Sequence, residues 1–175
     1  MVVKIQVLTS DDWPLWRELR LAALTEAPYA FASRLEDWQG SGDREERWRG
    51  RLAIPRSQNI VAFLDEEPVG MASGVPTDDA GVAELISMWV RPTARGRGVG
   101  ESLIASVRDW AKRLGAECLR LQVHEANSFA SSLYHRCGFR GNSETSGAQQ
   151  DGGKREKTMT LPLNNASSAR GGRAQ

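Results

Sequence analysis

Three glycines and two arginines fall within six residues at Arg95-Gly96-Arg97-Gly98-Val99-Gly100. Glycines let backbone N–H groups converge on an anion with no Cβ in the way, and a helix starting directly after them adds the partial positive charge of its N-terminus. Arg95 and Arg97 add formal charge at the same place. From Arg91 to Arg113 six basic residues stand against two acidic ones, in a chain whose net charge is only +1. This pattern predicts a cradle for a pyrophosphate or several phosphates; a plain tight turn does not need so many glycines and arginines. A dinucleotide fingerprint requires glycine at position 101, where Glu101 stands. A Walker-type loop requires a lysine, and none lies here.

A second constellation follows. Val123-His124-Glu125-Ala126-Asn127 leads into Ala130, Leu133-Tyr134 and Gly138-Phe139. Both stretches resemble motifs of the GNAT N-acetyltransferase family. Arg95, Gly98 and Gly100 fill the fixed positions of the first motif, Arg/Gln-x-x-Gly-x-Gly/Ala. Every fixed position of the second, Asn-x-x-Ala-x-x-Leu-Tyr-x-x-x-Gly-Phe, is present from Asn127 to Phe139. The stretch Met88-Trp89-Val90-Arg91-Pro92 is similar to the family's central strand and its exit. The resemblance covers residues 60–141, and the N-terminal helices in outline.

The resemblance implies an acetyl-CoA-dependent N-acetyltransferase with a mixed, twisted α/β (α+β) sheet of about six to seven strands flanked by about four helices. By that resemblance Arg95, Gly96, Arg97, Gly98, Val99 and Gly100 hold the pyrophosphate of acetyl-CoA, and the strand backbone at Met88, Trp89 and Val90 pairs with the pantetheine arm. Asn127 either bonds the pantetheine or caps the strand-to-helix turn. Tyr134 is the candidate acid: a phenol with pKa about 10 is protonated at neutral pH and can donate as a thiolate departs. The other possibility is a half-buried packing tyrosine. Glu84 is the candidate base, on the central strand eleven residues before Arg95. Strict alternation places it on one face with Ile86, Met88 and Val90, and a carboxylate among apolar neighbours can take an amine proton. A solvated strand-end glutamate is the alternative. No metal is expected, because the histidines and cysteines lack ligand spacing.

The expected acceptor is a primary amine of a small molecule. A protein N-terminus or lysine is the alternative, and a non-catalytic acyl-CoA sensor is the alternative of another class. Tyr29, Phe31 and Trp38 supply aromatic surface for a cationic amine, or else belong to the core. From Asp11 to Gly50 nine acidic residues stand against six basic ones, which predicts a mildly acidic wall.

The elements needed to position these groups are legible in outline. Val2–Leu8 reads as a strand, with Thr9, Ser10 and Pro14 marking the start of a helix that carries Leu15, Leu19 and Ala22. An aromatic loop over Glu26–Gly40 leads to a helix over Asp43–Leu52. Strands follow at Ile60–Leu64, Pro68–Gly74 and Val82–Val90. Val99, Leu103, Val107, Trp110 and Leu114 form the apolar stripe of a helix closed by Gly115. Cys118–Val123 is the next strand, Asn127–Cys137 a short helix, Phe139–Gly141 the start of a strand, and Lys157–Leu163 the last strand. Asn142–Lys154 reads as a mobile loop and Asn164–Gln175 as a disordered tail. A single domain over residues 1–163 is expected.

Composition bounds the rest. The chain has 175 residues, 40% hydrophobic and 26% charged, with a net charge of +1. That is globular composition, with no global pull toward nucleic acid or membrane. Two cysteines and no recognisable signal peptide predict reduced thiols in a cytoplasmic protein, monomeric or homodimeric.

Overall fold

The computed structural model describes residues 2–141 and 155–163. The expected loop over 142–154 and tail over 164–175 lie outside the described residues. Among those described, eleven regular elements run in the order β1 (Val3–Val7), α1 (Trp13–Glu26), α2 (Glu45–Leu52), β2 (Gln58–Leu64), β3 (Glu67–Pro76), β4 (Val82–Val90), α3 (Val99–Leu114), β5 (Cys118–His124), α4 (Ser128–Arg136), β6 (Arg140–Gly141) and β7 (Glu156–Pro162). The strands form one sheet in the order β1-β2-β3-β4-β5-β7-β6. Among the described strands only β4 and β5 pair in parallel, with α3 as their crossover.

Both faces of the sheet are covered, which explains the near-continuous apolar run of β2. Ile60, Ala62 and Leu64 join the core beneath α3, whereas Val61 joins the one beneath α1 and α2. Trp16, Leu19, Ala23 and Leu24 bury one side of α1 against that second core, together with Trp48 and Leu52 of α2. On the other face Val99, Leu103, Val107 and Trp110 pack as the predicted stripe. Trp110 lies so close over β3 that a Cβ on Gly74 would stand 2.3 Å from its ring.

Thr9 caps a short 3-10 turn, Ser10–Asp12, and Pro14 falls in the first turn of α1. The loop from Pro28 to Gly42 holds three further 3-10 turns. Helix α2 begins at Glu45, two residues later than expected. No helix of the described residues is long and apolar enough to cross a membrane.

Candidate active site

Strands β4 and β5 pair at three positions only, ending with Glu84 opposite Arg120. Beyond that rung β5 continues along β7, while β4 remains paired with β3. The β5-facing edge of β4 from Leu85 to Val90 is therefore without a strand partner among the described residues, and its backbone groups are available to an extended ligand.

The register of β4 slips in the same stretch. Ile86 pairs with Ser73 and Trp89 with Met71, so two residues, Ser87 and Met88, oppose Ala72. Ser87 has φ +54°, a left-handed conformation that marks the bulge. The bulge overturns the expected alternation. Trp89 joins the core under α1 and α2, whereas Met88 and Val90 join the core under α3. Glu84 and Ile86 thus lie on the opposite face from Met88 and Val90, because one extra residue reverses every side chain beyond it.

Two cavities adjoin this edge and share Ala30. One, of about 110 Å³, is bordered by Met88, Trp89, Val90, Asn127 and Tyr134. The other, of about 310 Å³, is bordered by Glu84, Ile86 and Ser87 and walled by Phe31, Trp38 and Trp48.

Arg95, at the start of the glycine turn, lines the first cavity, and the turn runs into α3. Gly96 and Gly98 have φ +74° and +80°, and a Cβ on either would meet nothing within 4 Å, so the turn presents open backbone. Gly98 is the N-cap of α3 and brings no side chain to it. Ser102 is the first residue to donate back, to the Gly98 carbonyl at 3.1 Å. The N–H groups of Val99, Gly100 and Glu101 find no acceptor among the described residues, which suits a phosphate. Gly100 has an added reason to be glycine: a Cβ there would stand 2.7 Å from Leu133 Cδ2, so α4 packs directly on it.

The arginines of the turn differ. Arg97 is exposed. Arg95 donates to the Val90 carbonyl at 3.1 Å and to Glu26 at 3.1 Å, and its guanidinium lies 5.3 Å from the Phe129 ring centroid. Glu26 also accepts from the Trp89 indole at 3.0 Å. Arg95 therefore ties the turn to the end of β4 and to α1.

Tyr134 is 6% exposed and lines the first cavity; its hydroxyl has no partner among the described residues. Burial, with a smaller contribution from Cys137, pushes its phenol pKa well above the ordinary value and keeps it protonated. The Cys137 thiol is likewise raised by burial, the setting of a packed thiol rather than a nucleophile. Asn127 accepts from the Ala130 N–H at 3.1 Å as the N-cap of α4, so its Oδ1 is engaged in the turn.

Glu84 lines the second cavity, but not among apolar neighbours as expected. Its Oε2 accepts from Arg120 Nε and Nη2 at 3.2 and 3.0 Å, while Oε1 has no partner among the described residues. Arg120 is raised above the usual arginine value by its hydrogen bonds to Asp79 and Glu84.

The aromatic residues separate. Tyr29 is 49% exposed, lines the first cavity and meets His124 edge-on at 5.8 Å. Phe31 and Trp38 line the second. Trp38 already carries Arg47 at 3.8 Å and Trp48 at 4.5 Å, so its ring is engaged within the protein.

None of the acidic residues of Asp11–Gly50 joins this lining, whose carboxylates are Glu84 and Glu156. Asp11 and Glu45 pair with Arg49, and Asp43 with Arg17. The basic residues of the wall are Arg20 and Arg51, which the sequence reading passed over. A signal existed: Arg20 interrupts the apolar stripe of Trp16, Leu19, Ala23 and Leu24.

The model of the acetyltransferase (GNAT) family matches residues 13–139. The N-acetyltransferase YhfO of Bacillus subtilis is 31% identical over 113 residues, covering 62% of this chain and 74% of that protein. A mycothiol acetyltransferase of Renibacterium salmoninarum is 25% identical over 74% of this chain, which spans 38% of that longer protein. Among solved structures, the PaiA N-acetyltransferase of Thermoplasma acidophilum in complex with coenzyme A has TM-score 0.71 and 21% identity, covering 93% of this chain and 99% of that one. YncA of Salmonella typhimurium, solved with acetyl-CoA, has TM-score 0.71 and 19% identity, covering 96% and 98%. A strand edge without a partner, a glycine turn feeding orphan N–H groups and the family match over most of the chain have one common meaning: this protein belongs to the GNAT family of acetyltransferases and is an acyltransferase.

Proposed function

We propose that the protein transfers the acetyl group of acetyl-CoA to a primary amine of a small molecule by direct attack on the thioester. The observation that carries this reading is the parting of β4 from β5 after Glu84, which opens two adjoining cavities along one strand edge. The N–H groups of Val99, Gly100 and Glu101 would hold the pyrophosphate, with Gly96 and Gly98 leaving their approach open. The free edge at Met88, Trp89 and Val90 would bind the pantetheine arm as an added strand. Acetyl-CoA supplies an activated acetyl thioester when bound.

The residues of this chain do the rest. Glu84 Oε1 takes a proton from the attacking amine, directly or through water, while Arg120 holds Oε2. Tyr134 gives a proton to the departing sulfur, so one C–N bond forms as one C–S bond breaks. The second cavity, walled by aromatic rings, favours a small acceptor over a polypeptide.

Calorimetric titration tests the cofactor half of this reading. Acetyl-CoA should bind one site, and substitution at Gly98 should weaken it. Absence of binding to folded protein would refute the assignment.

A further inference from the structure

The cavity bordered by Glu84, Ile86 and Ser87 holds two guanidinium groups, Arg20 buried and Arg51 half-buried, with no carboxylate partner among the described residues. Arg20 is 8% exposed, lies 4.6 Å from the centroid of Phe31, and its Nη1 has no hydrogen-bond partner. Arg51 bonds only neutral oxygens: Asn59 Oδ1 at 3.0 Å, Ser73 Oγ at 3.0 Å and Ser87 Oγ at 3.3 Å. Glu84, the nearby carboxylate, is engaged by Arg120, and Glu156 lies at the exposed rim. Burial pushes both guanidinium groups down to about 10, and for Arg20 the neighbouring charge of Arg51 adds to it. Both remain cationic at neutral pH. Like charges drawn out of water without a counterion are costly, and an anion between them offsets that cost.

We propose that the acceptor is an amine that also carries a carboxylate, an amino acid or close analogue, whose carboxylate docks on Arg20 and Arg51 while its amine faces Glu84. This rests on the acetyltransferase reading of the adjoining cleft and names the substrate class for it. The guanidinium fork matches a carboxylate with paired hydrogen bonds, and Arg20 has donor capacity to spare. Arg51 reaches Ser87, one residue from Met88 where the other cavity begins, so a bound carboxylate would lie beside the cleft. Phe31 and the partly exposed Trp38 line the same cavity with apolar surface for a side chain. A lysine within a polypeptide, or a polypeptide N-terminus, has its α-carboxyl group tied up in a peptide bond.

The test is calorimetry on the full chain, first with acetyl-CoA and then, with CoA bound, against the twenty amino acids, each beside its carboxamide and its decarboxylated amine. At least one amino acid should bind roughly thirtyfold or more tightly than both matched partners, the scale of an unpaired buried charge. Arg20→Gln should remove that discrimination while acetyl-CoA binding persists, and Arg20→Lys should restore part of it. Failure of acetyl-CoA to bind overturns the cleft assignment. Acetyl-CoA binding with no carboxylate preference, or a preference that survives Arg20→Gln, overturns the acceptor class alone. The wild-type comparison needs no variant, so a misfolded substitution leaves the proposal open to refutation.

Discussion

Glu84 and Arg120 face each other across the last paired rung of β4 and β5, joined by hydrogen bonds of 3.2 and 3.0 Å. The ion pair stands where the two strands part, so it both closes the parallel ladder and fixes a carboxylate at the cavity wall. If Oε1 accepts the amine proton, Glu84→Gln should slow turnover near neutral pH and lose less as pH rises, because alkaline solution already supplies neutral amine. Parallel pH–rate profiles of wild type and variant check this. A penalty constant from about pH 6 to about pH 10 would confine Glu84 to bracing the strands.

Tyr134→Phe removes only a hydroxyl. It should lower kcat by about 10²–10⁴-fold with acetyl-CoA affinity little changed, the usual value of general-acid help. A fall of less than about fivefold would make Tyr134 a packing residue.

The same side chain sets an alkaline signature. Its folded pKa is raised, so above the ordinary phenol value, about 10, the unfolded chain ionises while the folded one does not. Stability is therefore lost as pH rises past that point. Denaturant titrations between about pH 9 and about pH 11 should show Tyr134→Phe losing less stability than wild type.

Gly98 and Gly100 should fail differently. Gly98 has φ +80° and open space around it, so Gly98→Ala strains the N-cap by about 1–2 kcal/mol and should weaken acetyl-CoA roughly tenfold by displacing the N–H cradle. Gly100→Val drives a side chain into Leu133 and should lower Tm first. Calorimetry and thermal melts on both variants separate the two effects.

Asp43 links α1 to the aromatic wall, accepting from Arg17 Nε and from the Trp48 indole, each at 2.8 Å. The hydrogen bond from Arg17, and then that from Trp48, hold its carboxyl down at about 2. A depressed carboxylate contributes stability above its unfolded pKa, lost as pH falls through the folded one. Wild type should be more stable than Asp43→Asn at pH near 6, and the difference should shrink between about pH 4 and about pH 2. Denaturant titration across that range reads it directly.

What was legible in the sequence follows from how local each signal is. The stripe from Val99 to Leu114, the positive-φ glycine turn and the cap at Asn127 are set by neighbours within a few residues, and the structure has all three as local features. The bulge at Ser87 was not legible, because a one-residue slip exists only relative to β3, and it moved Glu84 to the opposite face from Met88. The acidic count over Asp11–Gly50 misled for a related reason. Charge totals do not say which groups pair outward, and Asp11, Asp43 and Glu45 do. Arg20 was visible as a charge in an apolar stripe, yet its meaning depended on α2 bringing Arg51 to the same cavity.

The most direct test of the central claim is acetyl-CoA-dependent formation of an N-acetylated amine, followed by thiol release and by the mass of the acceptor in the same reaction. Thiol release that requires both acetyl-CoA and an amine, with an acetyl group appearing on that amine, is the predicted result. Acetyl-CoA binding to folded protein with no thiol released for any amine, including the amino acids, would contradict it and leave the cleft a site that binds acyl-CoA without using it.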